Sequence, residues 1–136
     1  MTKILVAVYG SLRKGMGNHD YFLGKANYLG EFQTEPIYSL YGLGGFPGLK
    51  LNGSSSIIME VYEVTPLEAS RIDGLEGYDK ESDDNTFYDK ITINTPWGEA
   101  STYLYVPNVS EDKFVESGDW KKHKLSLSDY RTLSAN

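Results

Sequence analysis

The sequence contains no cysteine, only two histidines and no long hydrophobic run. Without cysteine the chain cannot form disulfides, use a thiol nucleophile or bind zinc through thiolates. His19 and His123 cannot build a three-histidine metal site, so no metal is expected. The early apolar run, Ile4 to Tyr9, is too short for a signal-peptide core or a membrane span, which predicts a cytoplasmic protein with no membrane partner.

Positive charge is also scarce. The chain has 13 lysines and arginines against 19 aspartates and glutamates, a net charge of −6 at pH 7. This balance argues against nucleic acid or an anionic membrane as a partner. A length of 136 residues with 40% hydrophobic residues predicts one globular domain over residues 1–136 with a core of its own.

The first informative feature is a strand that runs into a glycine-rich loop. The range Lys3–Tyr9 predicts a strand buried on both faces, and Gly10, Gly15 and Gly17 follow it. Asn18 is predicted to cap a short helix. Such a loop presents several backbone N–H groups in one place, which suits a carboxylate. The glycines are equally typical of a turn that requires positive φ.

The same loop matches neither of two phosphate-binding motifs. Gly10 and Gly15 have the P-loop spacing, but Met16 stands where the lysine is needed. The dinucleotide fingerprint lacks its third glycine, which would lie at Asp20. Ser11 is not in a G-x-S-x-G elbow, although a Ser-His-Asp hydrolase remains an alternative at this point.

The helix after the middle of the chain has clear start and stop signals. Thr65 is predicted as the N-cap, Pro66 as the first helical residue and Glu68 as the partner in a capping box, with Gly77 as the stop. At the C-terminal end the helix dipole disfavours the carboxylate of Glu76, and partial burial would raise its pKa further. Such a group can accept and return a proton near neutral pH, whereas a solvated glutamate is the alternative.

The rest of the chain predicts an α+β domain. Strands are expected, besides the first, at Gly30–Glu35, Pro36–Tyr41, Ser56–Val64, Thr86–Thr95 and Glu99–Val106. Gly42–Gly48 is predicted to be a loop, because it contains four glycines and one proline, and Ser128 is predicted to cap a last short helix. Six strands with two or three short helices predict a small mixed β-barrel or a curled sheet with short flanking helices.

Three further features are candidates for function. The acidic segment Asp79–Asn85 lacks the glycine and the glutamate of an EF-hand loop, which favours a solvated loop over a calcium site. Tyr9, beside the glycine loop, is the tyrosine expected to line a pocket. Asp73 lies one helical turn before Glu76 and can share its face.

Together these motifs resemble the gamma-glutamylcyclotransferase-like family. The family's Tyr-Gly-[Ser/Thr]-Leu-[Arg/Lys]-x-Gly pattern is matched by Tyr9–Gly15, with Asn18 after it. The other matching segments are Tyr41–Gly44, Phe46–Gly48, Glu60–Val64, Ile72–Gly77, Tyr88–Lys90 and Ser117–Trp120. The resemblance therefore runs from about residue 3 to residue 121, which is nearly the whole predicted domain.

The resemblance implies an activity without a metal or organic cofactor. In such proteins the α-amine of a small gamma-glutamyl substrate attacks the substrate's own γ-carbonyl, giving 5-oxoproline and a free amine. It implies Glu76 as the general acid and base, with Tyr88 as a pocket wall or hydrogen-bond donor. The residues implied to bind substrate are Tyr9, Gly10, Ser11, Leu12 and Tyr88.

Two departures from the family pattern affect the pocket. Lys90 replaces the usual arginine, which weakens any bidentate contact there, and the segment between Glu76 and Tyr88 is longer and more acidic than is typical. Two alternatives remain, a non-catalytic binding module on the same fold and an acyltransferase or hydrolase acting on a gamma-glutamylated metabolite. Whether the protein releases 5-oxoproline, glutamate or neither distinguishes the cyclotransferase from these alternatives.

Overall fold

The computed structural model describes residues 4–79 and 87–125 of the chain. This part contains seven strands, one more than the sequence predicts, together with short helices. In order they are β1 Ile4–Val8, α1 His19–Leu23, β2 Asn27–Gln33, β3 Tyr38–Gly42, β4 Pro47–Leu51, β5 Ile58–Val64, α2 Pro66–Leu75, β6 Tyr88–Thr95 and β7 Gly98–Tyr105. A 3-10 turn at Glu111–Lys113 and a helical segment over residues 120–125 follow.

Five of the strands form a curled mixed sheet in the order β2-β5-β1-β7-β6. β1 runs parallel to β7, and the other neighbours are antiparallel. β3 and β4 form a separate antiparallel ribbon. The edge strands β2 and β6 do not pair with each other over the described ranges, so the sheet is open. The curled-sheet prediction is confirmed, and the barrel alternative is wrong because closure would require those edges to bond.

The central strand β1 separates two apolar cores. Leu5 and Ala7 point into one core with residues of the ribbon, β5 and the 120–125 helical segment. Val6 and Val8 point into the other, with residues of α1 and α2. All four of these side chains are buried. The predicted burial of this strand on both faces is confirmed.

Strand β4 is the element that sequence analysis missed, whereas β3 overlaps the predicted strand Pro36–Tyr41. Gly42–Gly48 is predicted to be a loop, yet Gly42 ends β3 and Pro47 begins β4. Proline is tolerated at the first residue of a strand, where its missing N–H does no harm. Leu40 and Leu49 pair across the ribbon and are fully buried against the sheet. This long-range packing outweighs the local preference for a loop.

Two of the three predicted helix starts fall within the described residues and lie where expected, but only one is capped by a side chain. The Thr65 hydroxyl accepts from the Glu68 N–H at 3.1 Å, and the Glu68 carboxylate accepts from the Thr65 N–H at 2.9 Å, which confirms the capping box of α2. Asn18 precedes α1 without a side-chain capping bond. Its amide instead donates to the Ser11 hydroxyl at 2.8 Å.

The remaining predictions differ from the structure at their boundaries. β6 and β7 form the expected hairpin around Pro96 and Trp97, although β6 begins at Tyr88 instead of Thr86. The predicted cap Ser128 and most of the acidic segment Asp79–Asn85 lie outside the described residues. Among the helices described, none is long and apolar enough to cross a membrane.

Candidate active site

The loop after β1 is folded tightly by its own backbone. The Arg13 N–H donates to the Gly10 carbonyl at 3.0 Å, and the Asn18 N–H donates to the Ser11 carbonyl at 2.9 Å. Gly15 has a φ of 87°, which a glycine tolerates without strain. Gly10 needs no positive φ, but a Cβ at this position would lie 2.7 Å from two ring carbons of Pro47. A glycine is therefore needed at position 10 because Pro47 approaches closely, and not because of a positive φ.

We expect Gly10→Val to destabilise the protein and to distort the loop, because a β-branched side chain would overlap the ring of Pro47. Overpacking of this kind typically lowers the free energy of unfolding by about 1–3 kcal/mol. Urea denaturation measures the loss. Gly17→Val is the matched control, since no atom lies within 4 Å of a Cβ at that position. Equal stability of the two variants would contradict the steric argument.

The loop leaves two backbone donors free. Over the described residues, the N–H groups of Ser11 and Leu12 make no hydrogen bond to a protein acceptor. Both residues line a cavity of about 410 Å³. Adjacent free N–H groups beside a cavity form a site for a carboxylate or a developing oxyanion.

A buried arginine holds the loop against the sheet. Arg13 is only 2% exposed, and its guanidinium donates to Glu60 at 2.8 Å, to Asp119 at 2.8 Å and to Glu31 at 2.9 Å. The Lys14 N–H also donates to Glu60, at 2.8 Å. These bonds connect the loop to β5, β2 and the turn before the 120–125 helical segment, so they fix where Ser11 and Leu12 point.

The Glu60 carboxylate at the centre of this network stays charged despite burial. Burial alone would raise its pKa, but hydrogen bonds from the Lys14 N–H, Arg13, Tyr62 and Lys121 outweigh burial and lower the pKa below its usual value. The pKa of Arg13 is raised, since its bonds to Glu60 and Asp119 outweigh the opposite effect of burial. Arg13 and Glu60 are therefore both ionised at neutral pH.

Glu76 lines the same cavity, at the end of α2. Gly77 has a φ of 68°; its N–H donates to the Gly74 carbonyl, and the Tyr78 N–H donates to the Asp73 carbonyl. These two bonds form a Schellman motif and confirm Gly77 as the helix stop. Glu76 is thereby the C-cap residue, and its side chain lines the cavity.

The environment of Glu76 favours the neutral acid. Burial raises its pKa to about 7, and the negative charge of Asp73 contributes to the increase. In the described part of the chain, no group donates a hydrogen bond to its carboxylate, so nothing compensates the loss of solvation. A carboxyl group with this pKa can take up and release a proton near neutral pH.

Two tyrosines line the wall between the loop and Glu76. The Tyr9 hydroxyl donates to the Tyr103 carbonyl at 2.7 Å, and the Tyr88 hydroxyl donates to the Pro47 carbonyl at 3.2 Å. Burial raises the pKa values of both tyrosines, and the negative charge of Glu76 adds to the increase. Both tyrosines therefore stay neutral. Because each hydroxyl already donates its proton to a backbone carbonyl, its oxygen can accept a hydrogen bond from a ligand. The wall role suggested for Tyr88 agrees with this geometry; its donor proton is already engaged.

All of the predicted site residues lie around this one cavity. They are Tyr9, Gly10, Ser11, Leu12, Glu76 and Tyr88. The two histidines are not positioned to activate Ser11: the Ser11 hydroxyl contacts Asn18, and His19 Nδ1 lies 2.9 Å from the Leu12 carbonyl. His123 stacks on Trp120. In the described residues no group of three or more acidic or histidine side chains could hold a metal ion.

Asp73, which sequence analysis expects only to share a helix face with Glu76, is the centre of a hydrogen-bonded cluster. The Asp73 carboxylate accepts from the Tyr103 hydroxyl and from Lys90 Nζ, at 3.1 Å and 3.3 Å for the two carboxylate oxygens. Lys90 Nζ also lies 5.6 Å from the centroid of the Tyr78 ring. Lys90 thus binds Asp73 through one nitrogen, where an arginine could use two. The family motif draws attention to Lys90 in the sequence, but no sequence pattern predicts that Asp73 is its partner.

Comparison with known proteins agrees with this architecture. The family model for gamma-glutamyl cyclotransferase, AIG2-like, matches residues 6–122. A curated gamma-glutamylcyclotransferase homologue from Vibrio cholerae is 41% identical over 116 residues, covering 85% of this chain and 94% of the relative. The gamma-L-glutamyl-butirosin B gamma-glutamyl cyclotransferase of Niallia circulans is 35% identical over 123 residues, covering 87% of this chain and 76% of the relative.

Solved structures give the same result. The crystal structure of an uncharacterized protein from Pyrococcus horikoshii matches with a TM-score of 0.74 and 30% sequence identity, covering 93% of this chain and 97% of that one. The predicted family is therefore confirmed. The chain belongs to the gamma-glutamyl cyclotransferase, AIG2-like family.

Proposed function

We propose that the protein is a gamma-glutamyl cyclotransferase that releases 5-oxoproline and a free amine from a small gamma-glutamyl amide. The observation that carries the proposal is that Glu76, with a pKa near 7, lines one cavity together with Ser11 and Leu12, whose N–H groups are free. Family membership supports the reaction class, and the relative from Niallia circulans is named for such an activity.

The glycine loop would hold the glutamyl half of the substrate. The N–H groups of Ser11 and Leu12 would donate to its α-carboxylate or to the reacting γ-carbonyl oxygen. Tyr9 and Gly10 would form the adjoining wall, with the lone pairs of the Tyr9 and Tyr88 hydroxyls directed at substrate N–H groups. Holding the α-amine against the γ-carbonyl gives the near-attack geometry that an intramolecular ring closure needs.

Glu76 would carry both proton transfers. The neutral α-amine attacks the γ-carbonyl carbon, a C–N bond forms, and Glu76 accepts one proton from the attacking nitrogen. Glu76 then donates that proton to the leaving nitrogen as the amide C–N bond breaks. The products together contain every atom of the substrate, so the reaction as written consumes no water and uses no metal or organic cofactor.

Product analysis by mass spectrometry tests the proposal. The purified protein would be incubated with a panel of gamma-glutamyl amines and dipeptides, and both 5-oxoproline and glutamate would be measured. Release of 5-oxoproline with one equivalent of amine supports the proposal. Release of glutamate would indicate a hydrolase, and binding of panel members without turnover would indicate a binding module.

We expect kcat/KM to rise with pH through a limb near pH 7. Glu76 must be ionised to accept the proton of the amine, and its pKa is raised to about 7 by burial and Asp73. Activity is therefore low below that pKa and increases above it. A pH–rate profile on wild type measures the limb. An acid limb at the unperturbed glutamate pKa of about 4.3 would contradict the environment described for Glu76.

The substrate's own α-amine must also be neutral to attack, which can superimpose a second limb at higher pH. The profile of Glu76→Gln separates the two groups, because glutamine does not titrate. If the residual activity of that variant keeps the limb near pH 7, the limb does not belong to Glu76.

A further inference from the structure

We propose that the rim of the cavity selects gamma-glutamyl amides whose leaving amine carries a neutral aromatic or other apolar group and no carboxylate. The inference rests on the proposed function, since it concerns the leaving half of the same substrate. It follows from how apolar surface and charge are divided around the cavity.

The floor and the rim of the cavity differ in exposure and in chemistry. Tyr9 and Leu12 are buried, and the floor carries the free N–H groups that suit the glutamyl half. At the rim, Phe46, Leu75 and Phe87 are 42%, 39% and 60% exposed. A substrate that enters with its glutamyl end first leaves its amine substituent among these three side chains.

An apolar substituent fits the rim because both surfaces leave water on binding. Three large apolar side chains exposed together around one opening form the kind of patch that marks a ligand site. The rings of Phe46, Phe87 and Tyr105 also line the cavity and can pack against an aromatic group with favourable edge or offset geometry.

A carboxylate on the leaving amine finds no cation there. Among the described residues that line the cavity there is no lysine, arginine or histidine, and Glu76 is the one ionisable carboxyl group. A second carboxylate would lose solvation and meet like charge.

The two lysines that contact lining tyrosines are already engaged. Lys50 Nζ lies 5.6 Å from the centroid of the Tyr105 ring and donates to the carbonyls of Val106 and Pro107 at 3.1 Å and 2.6 Å. Lys90 Nζ lies 5.9 Å from the centroid of the Tyr103 ring and donates to the Asp73 carboxylate. Recruiting either lysine to a substrate carboxylate would break these bonds.

A cationic leaving group is disfavoured for a different reason. Its charge would bind the Glu76 carboxylate, and the proposed reaction needs that carboxylate free to move a proton. A neutral substituent leaves Glu76 available. The rim therefore favours neutral apolar amines over both charged kinds.

Three matched substrates test the inference on the wild-type protein. Gamma-glutamyl phenethylamide and gamma-glutamyl-L-phenylalanine differ only in a carboxylate, and the gamma-glutamyl amide of 4-(aminomethyl)phenethylamine, joined through its ethylamine nitrogen, adds a cation. We expect kcat/KM for 5-oxoproline release to be about tenfold or more higher for phenethylamide than for either charged compound, because the carboxylate loses solvation without a partner and the cation occupies the Glu76 carboxylate. Equal values, or a preference for a charged compound, would overturn the inference.

A pair of variants on α2 then places the selectivity at the rim. Leu75→Lys puts a cation at the rim, whereas Leu67→Lys makes the same change on the same helix at a side chain that is 60% exposed and does not line the cavity. Leu75→Lys should shift the ratio of kcat/KM towards the phenylalanine compound by about fivefold or more, and Leu67→Lys should leave the ratio unchanged. The ratio cancels any common effect on the proton transfers of Glu76. The same ratio in both variants would contradict a role for the rim.

Failure of the proposed function remains distinguishable from failure of this inference. If no compound yields 5-oxoproline, the cyclotransferase proposal fails, and the affinities of the same three compounds for the wild-type protein are measured by calorimetry. Tighter binding of phenethylamide than of the phenylalanine compound supports the selectivity of the rim. Equal affinities of these two compounds, or tighter binding of the phenylalanine compound, overturn it.

Discussion

Glu76→Gln is expected to lower kcat by about 10²-fold or more while the protein stays folded, because the amide can neither accept nor return the proton. The two side chains have nearly the same shape, and in the described part of the chain no protein group donates to the Glu76 carboxylate. No hydrogen bond of the described fold therefore depends on the charge of this residue. Steady-state release of 5-oxoproline from the best substrate of the panel measures the effect.

The stability of the Glu76→Gln variant gives the internal control. Burial disfavours the charged form of Glu76, so the wild type loses stability as pH rises through the pKa near 7. Above that pH, the glutamine variant should unfold at the same denaturant concentration as wild type or a higher one. Glu99→Gln, at an exposed position at the start of β7, is the matched substitution and should retain full activity. Activity of Glu76→Gln within a few-fold of wild type would contradict the role proposed for Glu76.

Features determined by neighbouring residues were predictable from the sequence. The capping box of Thr65 and Glu68 and the stop at Gly77 depend on contacts within a few positions, and all three are as expected. The apolar run that becomes β1 is long enough to show burial on both faces, and Gly98 closes the hairpin between β6 and β7. In each case the local chemistry favours one conformation.

Strand β4, which pairs with β3 to form the ribbon, was not predictable in this way. Gly48 is suited to β4 by a contact with a distant residue: a Cβ there would lie 2.9 Å from the side chain of Tyr105 on β7. Gly10 is likewise suited to its position by the ring of Pro47. Glycine and proline are local signals for a loop, and only the packed structure shows that these two serve close approach.

For the candidate site, the sequence motifs predicted the residues that line the cavity but not the residues that hold them in position. Arg13 was visible as one position of a motif, yet its partners lie 18, 47 and 106 residues away in the chain. Charged residues are exposed in most proteins, so a single sequence gives no reason to bury Arg13 and Glu60 together. The apolar character of the strand around Glu60 was the one available signal.

Arg13→Met should lower the free energy of unfolding by about 3–5 kcal/mol, because it leaves the carboxylate of Glu60 buried without its main counter-charge. Lys121 remains 3.0 Å from Glu60 but cannot replace the three bonds of the guanidinium. Urea denaturation at pH 7 measures the loss. Lys14→Met is the matched control, because the exposed side chain of Lys14 is the next in the sequence and only its backbone N–H contacts Glu60.

The pH dependence of stability distinguishes loss of charge from loss of packing. The pKa of Glu60 is lowered in the folded protein, so its contribution is present above the unfolded value of about 4.3 and is lost as pH falls through the folded pKa. With Arg13 replaced by methionine, that lowering shrinks, and stability should fall less steeply on acidification than in wild type. If Arg13→Met and Lys14→Met were equally stable at pH 7, or if Arg13→Met kept the wild-type acid dependence, the loop would be held by packing and not by the buried ion pairs. KM measured under conditions where both variants stay folded links this result to the site, since only Arg13→Met should displace the N–H groups of Ser11 and Leu12.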